Sequence, residues 1–200
     1  MTKSSNLIDS LEVYTLNNPN DVKPHWVSHF TVPTANELLI KIKTKEGNSG
    51  FGLATSYTDI SPIIKPFSNG LGDLIIGEDP FCPEKVYQKI FKLTDTRKSN
   101  ERSWSREAII RVSAALDIAC WDLIGKASKI PLYKLFGGYR NKIPVYVTCA
   151  YYRDGKDEKE LRDEIKKLVN IGHQSFKIKV GGLSIKEDSK RLEIIRDEIG

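Results

Sequence analysis

The sequence predicts an α+β chain in two parts: antiparallel strands and then helices to about residue 140, followed by the start of a parallel sheet. Three observations predict it. Apolar residues alternate on either side of a Gly/Asn turn between Leu38 and Thr55. A long helical run, roughly Arg106 to Ala127, is apolar around most of its circumference. After Lys142 the pattern reads strand, helix, strand, helix, which is the βαβα unit of a parallel sheet.

Each element follows from local chemistry. Leu11 to Tyr14 alternates as a strand, and Asn17 to Asp21 is a loop of turn formers. His25 to Phe30 reads as a second strand. Leu38 to Thr44 is a third, and Phe51 to Thr55 returns after the turn Lys45 to Gly50, with Gly50 and Gly52 flanking Phe51. Pro62 and Pro83 stand where a helix tolerates proline, in its first turn. Thr94 to Ser103 is polar and reads as exposed. Ser105 is placed to cap the long helix, and Lys129-Ile130-Pro131 breaks it. Ile143 to Ala150 is a continuous apolar run. Asp157 to Asn170 is an amphipathic helix ended by Gly172, Ser175 to Val180 is a strand, and Leu183 to Ile199 is a second amphipathic helix. The stretch Tyr139 to Lys142 divides residues 1–140 from residues 141–200.

Composition excludes several classes. Of 200 residues, 40% are hydrophobic and 28% charged, which rules out a wholly disordered or collagen-like chain. Thirty-one Lys and Arg against 26 Asp and Glu give +5, with both signs mixed along the chain and no basic stripe. Nucleic acid is therefore not an expected partner. Cys82, Cys120 and Cys149 form no CxxC pair, which fits a reducing compartment. The N-terminus lacks a signal-peptide core, and no run approaches the ~20 apolar residues of a membrane span. The expectation is a soluble cytoplasmic protein with no membrane partner.

Lys177-Ile178-Lys179 carries the most chemistry. Side chains on a strand repeat every two residues, so both lysines project to one face, with Cα atoms about 6.5 Å apart. Ile178 points the other way, toward covering helices. Two amines on the uncovered face at the end of a parallel strand disfavour each other's protonation, and a lysine so placed can serve as a general base. The plainer reading is a solvated strand face. Lys41-Ile42-Lys43 shows the same spacing and reads as exposed hairpin surface.

Several stretches resemble the mandelate racemase and muconate lactonizing enzyme branch of the enolase superfamily. Glu37 to Ile42 through Gly50-Phe51-Gly52 resembles the hairpin of that branch's N-terminal capping domain. Ala114 to Lys126, then Pro131 to Gly137, resembles its long signature, with Val112 and Cys120 standing where smaller or different apolar residues are usual. Phe176 to Gly181 resembles its K-x-K motif at the end of the second barrel strand. Within the signature, Asp117 and Asp122 read as structural, capping or pairing with Arg.

The resemblance implies a capping domain over 1–140 and the first βα units of a (β/α)8 barrel over 141–200, truncated after about two units. A whole barrel takes about 250 residues. It implies an enzyme that removes the proton α to a carboxylate, as an acid-sugar dehydratase or a racemase, with Mg2+ stabilising the enediolate. Lys179 would be the base, and Lys177 would tune it and touch the substrate carboxylate. Tyr57 and Tyr151 would face a small carboxylate or sugar acid, with loops Asn17 to His25 and Ala54 to Thr58 closing over it. Metal ligands are expected on later strands. Glu187, Asp188, Glu193, Asp197 and Glu198 read as the solvated face of the last helix. The 200 residues alone are thus expected to be inactive. Two other readings stay open: a structural subunit completing a split barrel with a second chain, or a basic binding module that reuses the capping fold. A homo-oligomer or a missing barrel half would be the protein partner.

Overall fold

In chain order, the strands β1 (Ile8–Asn17), β2 (His25–Trp26), β3 (Thr31–Val32), β4 (Asn36–Thr44) and β5 (Ser49–Ser56) come first. The helices α1 (Ser61–Ser68), α2 (Pro83–Phe91), α3 (Thr96–Arg102), α4 (Arg106–Ser128) and α5 (Leu132–Leu135) follow. The chain ends with β6 (Val147–Cys149), α6 (Glu158–Ile171), β7 (Phe176–Ile178) and α7 (Ile185–Ile199). These elements come from a computed structural model that describes residues 6–17, 23–32, 36–56 and 59–200. They fall into two units, Met1–Asn18 with Ala35–Asn141, and Pro19–Thr34 with Lys142–Gly200. Among the described residues, 23–32 thus cluster with the later unit.

The first unit is a three-stranded antiparallel sheet, order β1-β4-β5, covered by helices. Strict alternation along β4 sends Leu38, Ile40 and Ile42 into the core, where all three are fully buried, and Lys41 and Lys43 to the other face. The core joins them to Ile109, Val112, Ala115, Leu116, Ala119 and Leu123 of α4. A wide arc of α4 is buried, while Ile110 and Ile118 stay on the open side. The glycines beside Phe51 have a packing reason. A Cβ on Gly52 would lie 1.8 Å from the Ala115 carbonyl oxygen, and one on Gly50 would lie 2.0 Å from that of Ala119. The β5 backbone therefore rests directly on α4, which only glycine against alanine permits. Ser105 caps α4 as expected, its Oγ accepting from the Ala108 N–H at 3.0 Å. Asp122 is structural too, although its cation is a lysine: it accepts from the Phe51 N–H at 2.8 Å and from Lys126 at 2.5 Å.

The second unit holds β6 and β7 as a parallel pair, with Thr148 opposite Lys177 and Cys149 opposite Ile178. Helices α6 and α7 cover one face, burying Leu161, Ile165, Ile194 and Ile195 against Cys149, Phe176 and Ile178. Local signals set the helix ends. Asp157 caps α6 by accepting from the Glu160 N–H at 2.8 Å, Gly172 closes it at φ +105°, and Ser184 and Glu187 form a capping box on α7.

Two expectations differ. His25 to Phe30 is not one strand, because Ser28 and His29 turn the chain and Val27 donates to the Phe30 carbonyl at 3.0 Å, leaving β2 and β3 as a two-stranded antiparallel pair. Thr94 to Ser103 holds the helix α3, and apart from buried Thr94 its described side chains are exposed, as expected. Of the run Ile143 to Ala150, only Val147–Cys149 has a ladder partner, and Ile143 and Val145 are 73% exposed. Apolar composition alone does not make a strand where no neighbour offers hydrogen bonds.

Candidate active site

The site is built at the C-terminal end of β6 and β7. Both lysines lie on the face away from α6 and α7, and Ile178 packs under the helices, as period two requires. Lys177 is exposed on β7, with Nζ 5.9 Å from the Tyr146 ring centroid. Lys179 is half-buried one residue past the strand, with Nζ 5.3 Å from the Tyr151 ring centroid. Both ammonium groups therefore meet aromatic faces at cation–π range. Among the described residues, neither lysine has a carboxylate within ion-pair distance. Tyr151 also meets His25 edge to face, with ring centroids 4.7 Å apart, and burial lowers the pKa of His25.

Of the four residues singled out by the sequence, Lys179 and Tyr151 lie just past the C-terminal ends of β7 and β6, and Lys177 lies at the middle of β7 on the face that Lys179 shares. Tyr57, with Thr58, lies outside the described residues, as does most of the loop Asn17 to His25.

Behind the lysines stands a polar cluster that sequence reasoning missed. Asp188, expected on a solvated helix face, is 7% exposed. It accepts from the Tyr152 hydroxyl at 2.7 Å, the Gly181 N–H at 2.7 Å and Arg191 at 2.9 Å. Desolvation pushes its pKa up, but those hydrogen bonds and the Arg191 charge outweigh it and hold the carboxyl below its ordinary value. Tyr152 is pushed the other way, by burial and by donating to Asp188. Its ring stacks on Trp26 at 4.4 Å and under the Arg191 guanidinium at 4.1 Å. A Cβ on Gly182 would reach 2.5 Å from that ring, so glycine is required for the close approach. The available signal was the Gly181-Gly182 pair followed by a capping box, which marks a tight entry into α7 but not what packs on it. Cys149, near Glu164, is raised to about 11 chiefly by burial and is an inert thiol.

Three other carboxylates of α7 serve structure. Glu187 closes the capping box, and Asp197 and Glu198 pair with Arg162. Among the described residues no group of three His, Cys, Asp or Glu side chains could hold a metal ion, so the residues present do not fit a Mg2+ site. No described helix is long and apolar enough to cross a membrane.

Residues 10–137 match the family described as mandelate racemase / muconate lactonizing enzyme, N-terminal domain. The chain is 34% identical over 160 residues to an arabinonate dehydratase of Saccharolobus solfataricus, covering 80% of this chain and 41% of that protein. It is 34% identical over 183 residues to an L-Ala-D/L-Glu epimerase of Clostridium acetobutylicum, covering 89% and 46%. Among solved structures, it superposes on a dipeptide epimerase of Enterococcus faecalis complexed with Mg and the dipeptide L-Leu-L-Tyr. The TM-score is 0.71 at 26% identity, over 97% of this chain and 51% of that one. The chain spans about half the length of the relatives it matches.

Proposed function

Since the chain belongs to the mandelate racemase / muconate lactonizing enzyme family, we propose that it is the N-terminal part of an enzyme that abstracts the proton α to a carboxylate. The product class is that of an acid-sugar dehydratase or a racemase. Residues 10–137 are the family's N-terminal domain, and we assign residues 141–200 to the first βα units of its barrel. The observation that carries the reading is the lysine pair: two amines on one uncovered strand face, free of carboxylates among the described residues and lined by Tyr146 and Tyr151. In its neutral form Lys179 accepts the α-proton, and Lys177 as an ammonium holds the substrate carboxylate. Tyr151 and Tyr57 are the residues proposed to face the substrate. Mg2+ is proposed as the cofactor of the complete enzyme. The described residues offer it no ligand set. The free cysteines and the lack of a long apolar helix among the described residues support a cytoplasmic location.

A second reading has its own support. Ile143, Val145, Val180 and Ile185 are between 51% and 88% exposed in the second unit, apolar side chains that further barrel chain would cover. That chain is either the same polypeptide or a separate subunit, and the native mass of the purified protein separates the two.

The test is deuterium exchange at the α-carbon of sugar acids and dipeptides in D2O with Mg2+, followed by proton NMR on the complete enzyme. Lys179→Ala is expected to slow exchange by about 1,000-fold. Exchange at the unmutated rate would overturn the assignment of the base. The 200 residues alone are expected to give none, and exchange above background would show that the rest of the barrel is dispensable.

A further inference from the structure

We propose that Glu164 and Arg191 are positioning residues for the lysine pair: from the two helices behind the strands they grip both sides of Ala150 and the carbonyl of Lys179, and so set the Tyr151 ring against the Lys179 ammonium. Strand parity is broken at Tyr151. In the parallel register, Thr148 stands opposite Lys177, so Tyr146 and Thr148 share the lysine face. Tyr151 has the opposite parity and on regular alternation would point toward the helices. Its ring instead lies over Lys179.

The residue that breaks the alternation is Ala150. It sits in the left-handed region at φ +53° and is fully buried. An alanine there costs roughly 1–2 kcal/mol, and such a conformation persists only where neighbours over-determine it. Here they do. The Ala150 N–H donates to Glu164 Oε1 at 2.9 Å, and its carbonyl accepts from Arg191 at 2.6 Å. The same guanidinium donates to the Lys179 carbonyl at 3.2 Å, so one side chain ties the ends of both strands together. Glu164 is held in turn by Lys156, which also donates to the Tyr151 carbonyl at 3.2 Å. Arg191 is held by Asp188 and by the Tyr152 ring. The peptides on both sides of Tyr151 and the one that follows Lys179 are thus anchored by side chains from α6, α7 or the loop before α6. A planar guanidinium can bridge three acceptors in this way, and an ammonium in its place cannot keep the same geometry.

The kinetic arm rests on Lys179 being the base; the spectroscopic arm does not. In the intact protein with 13C-labelled lysine, the ε-methylene resonance of Lys179 reports the Tyr151 ring current, and Tyr151→Leu marks its value without the ring. Arg191→Lys and Glu164→Ala are expected to move that resonance at least half way to the Tyr151→Leu position. They are also expected to lower kcat about tenfold with KM changed less than about threefold. Glu164→Gln keeps an acceptor for the Ala150 N–H and is expected to recover at least half of both losses. Folded variants with an unmoved Lys179 resonance and unchanged kcat would overturn the proposal, even if their melting temperatures fell, because a purely structural role lowers stability alone. Should Lys179→Ala leave exchange intact, the base assignment fails and the resonance still decides the positioning. Glu164 is only partly buried, so its variants keep the test open if Arg191→Lys does not fold.

Discussion

Lys41 and Lys43 on β4 and Lys177 and Lys179 at the end of β7 carry the same spacing into different surroundings. In the first unit the face they share belongs to a paired antiparallel sheet, and Glu12 of β1 lies across from them. Its carboxylate takes Lys43 at 2.7 Å and Lys41 at 3.4 Å. In the second unit the face belongs to a two-stranded parallel ladder, and the lysines meet tyrosine rings instead. Period two therefore says only that two side chains share a face. What occupies that face separates a solvated ion pair from a pair of amines available for chemistry. The scaffolds differ in the same sense. The first unit closes its core between sheet and helices, whereas the second leaves Ile143, Val145 and Ile185 uncovered.

The largest effect expected from perturbing this contrast is at the closed core. Gly52→Ala places a methyl 1.8 Å from the Ala115 carbonyl oxygen, where backbone meets backbone and neither can yield without moving β5 from α4. A loss of about 3 kcal/mol or more is expected in urea unfolding. Gly182→Ala in the second unit meets the edge of the Tyr152 ring at 2.5 Å, a side chain that can shift within its stack, and about 1–2 kcal/mol is expected. Equal losses would mean that the α4–β5 contact relaxes more readily than its geometry indicates.

Next in size is Asp188. Its pKa is depressed in the folded protein, so the stability it contributes is fully present above the ordinary aspartate value near pH 4. That stability is lost as pH falls through the lower folded value. Asp188→Asn is expected to cost about 1–3 kcal/mol at pH 7, because Arg191 loses its charged partner, and to flatten the acid limb of the stability curve. An acid limb identical to the unmutated protein would show that Asp188 is not the group lost.

How much of this was legible in the sequence follows the range of each interaction. Ser105 and Gly172 act within one helical turn, and the caps they predict are found. The K-x-K face is a property of the strand period and was equally readable. Asp188 was not, because on α7 it looks like any solvent-facing acid. Its burial depends on Tyr152 and Gly181, which only the parallel register brings alongside. Nor does an alanine at position 150 announce a left-handed backbone, since that conformation is imposed by side chains 14 and 41 residues away. Gly50 and Gly52 were visible as flanks of Phe51, but their reason lies in Ala115 and Ala119 across the core.

The smallest effect returns to the exposed lysine pair. Glu12 is lowered to about 2, first by its hydrogen bond with Lys43, then by that with Tyr14, with the charges of Lys41 and Lys43 adding to both. Lys43 is raised by the same partner. A carboxylate depressed from 4.5 stabilises the fold above pH 4.5 and loses that contribution as pH falls toward 2. Glu12→Gln should therefore matter little at pH 7 and remove a shallow slope between about pH 5 and pH 2, a slope that 0.5 M salt also weakens because the pair is solvated. Carboxyl carbon shifts of Glu12 followed by NMR give the midpoint directly. Replacing Lys41 and Lys43 together by methionine should raise that midpoint toward 4.5. The same replacement at Lys177 and Lys179 should leave the acid limb unchanged, since no described carboxylate pairs with them. A Glu12 midpoint near 4.5 in the unmutated protein would remove the ion pair, and with it the difference between the two lysine faces.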